Sequence, residues 1–411
     1  MHMRTSFSQL FANPLVVRIY VFTMIAGFLN GIPDVIFNFY LLGLGYGSEV
    51  TGEMASLVRV SGFVFGIPIG IAVDRIGSVR TLQIGAAANI MVWAVLLLAP
   101  NILVLQIAYF CSGTFFTIAT VAGITALSGI GSIADRAQLV GFNFTIITVM
   151  GFVGSLVAGF LPSQIAPLLG VGPTDVPAYR ATLAILVIAS AVALLPLVGL
   201  SKKISIFHSD RGVQGDDEHS VPLSKVVVMT IGYFVVGCAG GILHPFLNVY
   251  FRDAYALPDA TIGVVVATFT LLMGVGGVLG GRLVTRFGVR TVVVVAGILC
   301  LPFCLGLLSN QMIIAMAGYF VVCLLIGMVF PYMDMMLFQA VATRQRGVVK
   351  SISTMAWSIG WAIAAYGSGQ IQAHGDWQLL IILSACGYAG CGLAFGLIPF
   401  KAVTMRATGK S

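Results

Sequence analysis

Apolar runs of about twenty residues recur twelve times along this 411-residue chain, and no other feature constrains its fold so tightly. They cover residues 16–42, 53–73, 81–99, 102–130, 139–162, 181–200, 226–250, 261–283, 291–308, 312–341, 351–371 and 377–399. A run of that length matches the hydrocarbon thickness of a bilayer, where every backbone N–H and C=O must be satisfied internally. Each run is therefore expected to be a helix. A soluble domain carries about 25% charged residues; this chain carries 9%, with 59% hydrophobic residues and a mean hydropathy of +1.03. Too little polar surface exists to cover a water-facing body. The expected fold class is an all-α polytopic membrane protein with twelve transmembrane helices and the lipid bilayer as its solvent.

An even number of spans places both termini on one side. All but three of the 21 Lys and Arg residues fall on that side; Arg180 and Arg252 fall opposite, and Arg59 lies inside a span. By the positive-inside rule both termini are expected to be cytoplasmic, in the plasma (inner) membrane. The net charge of +7 thus reports topology and gives no reason to invoke nucleic acid. The seven cysteines all lie within spans, and no His accompanies Cys300 and Cys304, so small apolar packing is expected and no metal site.

The longest polar stretch, 201–225, divides the chain into residues 1–200, a cytoplasmic linker and residues 226–411. The two halves match each other. Shifted by 210 positions, Gly27, Gly31, Asn38 and Tyr40 meet Gly237, Gly241, Asn248 and Tyr250. Shifted by 211, Gly52, Gly66, Gly70, Val73, Arg75 and Gly77 meet Gly263, Gly277, Gly281, Val284, Arg286 and Gly288. One unit of six spans has been used twice, the layout of a large class of secondary transporters built from parallel repeats.

The stretch GIAVDRIGSVR, residues 70–80, resembles the loop 2–3 signature of the major facilitator superfamily: Gly70, Asp74, Arg75, Gly77 and Arg80. A degenerate copy recurs as Gly281, Arg286, Gly288 and Arg290, with Thr285 in place of the acid. With twelve spans and a central linker, the resemblance covers essentially the whole chain. It implies two pseudo-symmetric six-helix bundles rocking about a central cavity, with spans 1, 4, 7 and 10 lining it and spans 3, 6, 9 and 12 facing lipid. It also implies that Gly70, Asp74, Arg75, Gly77, Arg80 and Arg286 form a cytoplasmic gate, with Asp74 reaching Arg136 and the start of span 11 near Ser351. A carboxylate at the end of its own helix opposes the helix dipole, so Asp74 needs such a partner.

An ionisable side chain inside a span is costly and must face protein or a wet cavity. Four are found: Asp34, Arg59, His244 and Asp334. Asn30, Asp34 and Asn38 recur every fourth residue and form one polar stripe. A carboxylate there can exchange a proton with a wetted cavity, contact substrate, or simply pair with Arg59, which lies at similar depth on the next span. His244 occupies the repeat position of Asp34; it is either a second cavity group or a packed histidine, and Pro245 predicts a local break beside it. Asp334 is either a second titrating site, a cytoplasmic-side gate, or the partner of Arg344 or Arg346. The expected proton-coupling groups are Asp34, His244 and Asp334, and the expected cavity residues are Asn30, Asp34, Asn38, Tyr40, Arg59, His244, Asn248, Tyr332 and Trp357. Phe37, Tyr109, Phe110, Phe115, Phe116 and Trp361 are further aromatics with cavity potential.

No Arg or Lys stands in the middle of spans 1, 4, 7 or 10, which disfavours an anionic substrate. No phosphate-cradling motif is present, so the expected energy source is a proton or other cation gradient, with no cofactor and no enzymatic activity. The expected function is alternating-access, proton-coupled export of small amphipathic neutral or cationic compounds by a monomer. Uptake of a neutral metabolite such as a sugar, and flipping of a lipid or lysolipid, are the alternatives.

Overall fold

The computed structural model describes residues 13–99, 101–128, 133–200, 223–341 and 346–397. The side chains of residues 128, 133–138, 223–225, 339–340 and 346–347 are outside that description, as is most of the linker. The helices are α1 (Pro14–Gly43), α2 (Ser48–Ile76), α3 (Ser78–Leu98), α4 (Ile102–Ser128), α5 (Ile133–Leu169), α6 (Val176–Leu194), α7 (Leu223–Leu243), α8 (Leu247–Tyr255), α9 (Asp259–Phe287), α10 (Val289–Leu305), α11 (Met312–Ala340), α12 (Arg346–Gln372) and α13 (Trp377–Gly396). Among the described residues twelve spans result, because α7 and α8 form a single span interrupted by the 3-10 turn His244–Phe246. Pro245 causes that interruption: it has no N–H to donate and its ring clashes with the preceding turn.

Local sequence explains the ends. Asn13 caps α1, its Oδ1 accepting from the Leu15 N–H at 3.0 Å, with Pro14 in the first turn. The signature stretch is a helix, one glycine and another helix: α2 ends at Ile76, Gly77 turns with φ 88°, and α3 starts at Ser78. Gly288, φ 83°, makes the same turn between α9 and α10. Only glycine adopts this conformation without strain, which accounts for its recurrence in both halves. Several helices extend past their apolar runs. Span two begins at Ser48 rather than 53, drawing Glu49 into the helix, and span five covers Ile133–Leu169 rather than 139–162. Hydropathy marks where lipid stops, whereas the backbone ladder continues into polar residues beyond it.

The packing follows the repeat. In the first half α1 lies against α5 and α6, α2 against α4, and α3 against α4 and α6. In the second half α7 lies against α12 and α13, α9 against α11, and α10 against α11 and α13. The repeated glycines sit at these crossings. A Cβ on Gly27 would meet the Ile147 carbonyl on α5 at 2.9 Å, and one on Gly237 or Gly241 would collide with the backbone of Trp357 or Trp361 on α12. Two crossings join the halves, α2 with α12 and α5 with α9. These also rest on repeated glycines. A Cβ on Gly52 would stand 2.9 Å from the Cα of Gly369, and one on Gly263 would stand 2.7 Å from the Cα of Gly159. Such contacts let backbones touch, the usual device where lipid supplies no hydrophobic drive between helices.

Both close crossings lie toward the ends of the spans away from the termini. Gly263→Val is expected to wedge α9 from α5 there. Pulsed electron resonance between labels at Thr174 and His374, exposed loop residues on that side, should shift to longer distances than in the parent protein.

Candidate functional site

The seal on the side away from the termini is built from the polar stripe of α1. Asn38 Nδ2 donates to the Pro245 carbonyl at 2.6 Å and to Asn248 Oδ1 at 2.8 Å. Asn248 Nδ2 donates to the Val35 carbonyl at 2.8 Å. Asn38 and Asn248 are repeat partners, as are Val35 and Pro245, so each asparagine reaches the equivalent carbonyl of the other half. A second latch lies farther out. Arg252 of α8 pairs with Asp259 of α9 and donates to the Tyr179 hydroxyl of α6 at 2.7 Å, while Tyr179 donates to Asp259 at 2.6 Å. The Arg252 guanidinium also lies 3.2 Å from the centre of the Phe39 ring on α1. Nothing in the sequence pairs these residues, which come from four helices.

Beneath the seal a cavity of about 210 Å³ lies between the bundles, lined by Asp34, Arg59, Tyr109, His244 and Trp361 among others. A second cavity of about 280 Å³ runs from Asp34 and Arg59 into the first bundle, past Asn30, Asn89, Trp93, Ser112 and Ser190. Asp34 stands where the two meet, exposed to both. Phe37 and Tyr109 stack at 4.3 Å and fix the wall beside it. Spans 3 and 6, expected to face lipid only, contribute Asn89 and Ser190, which hydrogen-bond at 3.3 Å. Gln106 donates to Glu53 at 2.8 Å on the flank of α2 and α4. Each of these polar groups is ordinary in its own helix, and only the bundle brings partners opposite.

Several expected positions move. Arg59 does not latch onto Asp34: no ion pair joins them. Its guanidinium crosses to the other bundle and lies 5.0 Å from the ring centre of Trp357 and 4.7 Å from that of Trp361. The two tryptophans are 5.3 Å apart, and His244 meets Trp361 edge-on at 5.6 Å. Tyr40 is only 1% exposed and faces the core, not the cavity, with the Arg180 guanidinium 6.0 Å from its ring. Tyr332 packs against Gly280 of α9 and donates to the Gly277 carbonyl at 3.1 Å, also away from the cavity lining. Trp357 is reached through Arg59 rather than by lining the cavity itself. Asp334 pairs with Lys350 of α12 and accepts from the Tyr233 hydroxyl. Arg344 lies outside the described residues, as does the side chain of Arg346. Lys350 takes the pair because α12 begins early enough to bring its second turn against α11.

On the side of the termini, Asp74, Arg75 and Arg80 are exposed, and Asp74 makes no ion pair or hydrogen bond among the described residues. Gly70 and Gly77 have open space where a Cβ would be. Arg286 lies 5.2 Å from the Phe287 ring on its own helix, and Arg290 donates to the Gly396 carbonyl. Arg136 has its side chain outside the described residues. Among the described residues, the bonds joining the bundles gather on the side away from the termini.

Asn248→Ala removes the centre of the seal and leaves the Asn38 amide and the Val35 carbonyl short of partners. A buried polar group left so costs about 1–3 kcal/mol. The melting temperature is expected to fall, and a cysteine at position 38 should become reactive to a membrane-impermeant thiol reagent applied from the side opposite the termini.

The family model described as Major Facilitator Superfamily matches residues 229–408. No curated protein matches the sequence. Among solved structures, a single-residue mutant of the nucleoside transporter NupG is similar at a TM-score of 0.74 and 12% identity, covering 93% of this chain and 99% of its own. A bacterial homologue of the human lysosomal transporter Spinster, in an inward-facing and occupied conformation, gives 0.74 at 14% identity, covering 95% and 94%. The xylose transporter XylE from E. coli, in an inward open conformation, gives 0.73 at 14%, covering 95% and 98%. The second half matches the sequence pattern of the major facilitator superfamily, and the chain as a whole shares the twelve-helix fold of these solved transporters.

Proposed function

We propose that this protein is a secondary transporter that exports small amphipathic, neutral or cationic compounds in exchange for protons, by alternating access. The observation that carries the reading is Asp34. It is exposed to the cavity at the meeting point of the two bundles, and it has no hydrogen-bond or ion-pair partner among the described residues. A carboxylate so placed binds a proton or a cationic substrate, and not both. With the termini cytoplasmic, as the basic residues suggest, the present arrangement is inward-open: substrate enters from the cytoplasm, the bundles rock, and a proton taken up by Asp34 on the outer side releases it. His244 and the Asp334–Lys350 pair are the second-rank groups for proton movement.

The proposal has a direct test in proteoliposomes. Asp34→Asn is expected to abolish accumulation driven by a pH gradient, while energy-independent exchange of labelled substrate persists. Full gradient-driven accumulation by the variant would remove Asp34 from the coupling role.

The exposed Asp74 fits a gate that engages only when the cytoplasmic side closes. Asp74→Asn is expected to slow transport with substrate affinity in the resting state largely unchanged, measured by turnover against equilibrium binding.

A second reading, uptake of a neutral metabolite with a proton, draws on the hydroxyl and amide groups of Asn30, Asn89, Ser112 and Tyr109 along the cavity and on the nucleoside and xylose transporters among the similar folds. Substrate-induced alkalinisation outside intact cells would favour it over export.

A further inference from the structure

Two tryptophans of the second bundle hold an arginine of the first. Aromatic faces attract a cation within about 6 Å, most strongly where water is excluded, and Arg59 meets that condition at Trp357 and at Trp361 together. The same guanidinium lines the cavity with Asp34, Tyr109 and His244, the charged or titratable groups that α1, α4 and the 3-10 turn present to it. The site therefore offers two places for a positive charge, the Asp34 carboxylate and the tryptophan pair, and among the described residues lining it Arg59 is the one built-in cation.

We propose that Trp357 and Trp361 form a binding subsite for a flat organic cation, and that Arg59 acts as a tethered competitor for it. This rests on the export reading above and supplies its coupling step. When Asp34 is ionised, it holds one cation and the tryptophans hold the other, so Arg59 and substrate are both accommodated. When a proton occupies Asp34, one cation place remains. Arg59, attached to α2 at high effective concentration, takes it and the substrate leaves. The proton and substrate then compete without needing to touch the same atoms. The inward-open arrangement described here, with Arg59 on the tryptophans and no ion pair to Asp34, is the self-occupied form.

Equilibrium dialysis on the purified full-length protein tests this without any gradient, using N-methyl-4-phenylpyridinium as the cation and uncharged 4-phenylpyridine at pH 8 as its neutral counterpart. Arg59→Gln is expected to tighten binding of the cation by about tenfold, the scale of one cation–aromatic contact. It should also tighten the neutral ring, because a ring face is freed. Both gains should shrink severalfold in the Trp361→Phe background, a coupling that a double-mutant cycle reads directly. Tightening of the cation alone, undiminished by Trp361→Phe, would mean that only charge repulsion was relieved and would overturn the subsite. Unchanged or weaker cation binding in Arg59→Gln would overturn the competition. If Arg59→Gln fails to fold, Arg59→Lys keeps the charge but loses the planar face, and the same pattern is expected at smaller size. Failure of the coupling role of Asp34 would appear separately, in the gradient-driven flux of Asp34→Asn, with these affinities intact.

Discussion

The reciprocal hydrogen bonds of Asn38 and Asn248 are the contact on which the rest of the arrangement depends. In lipid an unpaired amide is costly, so a polar residue on one bundle needs an acceptor on the other. The duplicated sequence supplies both at once: each asparagine finds the carbonyl that its counterpart's own helix presents, Pro245 for Asn38 and Val35 for Asn248. Pairing across the pseudo-twofold axis ties the two halves on one side of the protein and positions Asp34 and His244 just below.

The glycines that recur in both halves extend the same logic. Gly52 and Gly263 are repeat partners that serve the two crossings between bundles, on Gly369 and Gly159 respectively. Gly27 and Gly237 serve crossings inside each bundle. A duplicated unit thus builds two bundles and a pair of matched close contacts between them. Symmetry is broken where charge is involved. The acid at Asp74 has no counterpart: Thr285 stands in its place and donates its hydroxyl to the Arg282 carbonyl of its own helix.

Charges sort by whether they are already satisfied. Arg252 and Asp259 are paired and tied to Tyr179; Asp334 is paired with Lys350 and Tyr233. Paired groups hold helices in place. Asp34 and Asp74 make no hydrogen bond or ion pair among the described residues, and they lie at the cavity and at the end of α2 on the side of the termini. Arg59 is intermediate: it lies against two aromatic faces and makes no ion pair among the described residues.

The twelve spans, the twofold repeat and the intramembrane ionisable residues were all legible in the chain, because lipid imposes length and composition on each helix separately. The break at Pro245 and the Gly77 turn were legible too, since proline and glycine act on their own backbone. What escaped is whatever depends on rotation about a helix axis or on the neighbour across a gap. Tyr40 and Tyr332 turn away from the cavity, Asn89 and Ser190 turn toward it, Lys350 takes Asp334, and Arg59 leaves Asp34 for Trp357 and Trp361. Hydropathy cannot register these outcomes, because a polar side chain's partner comes from a segment far away in sequence. Which groups met, and so which side of the protein closed, was settled by the packing of the two bundles against each other.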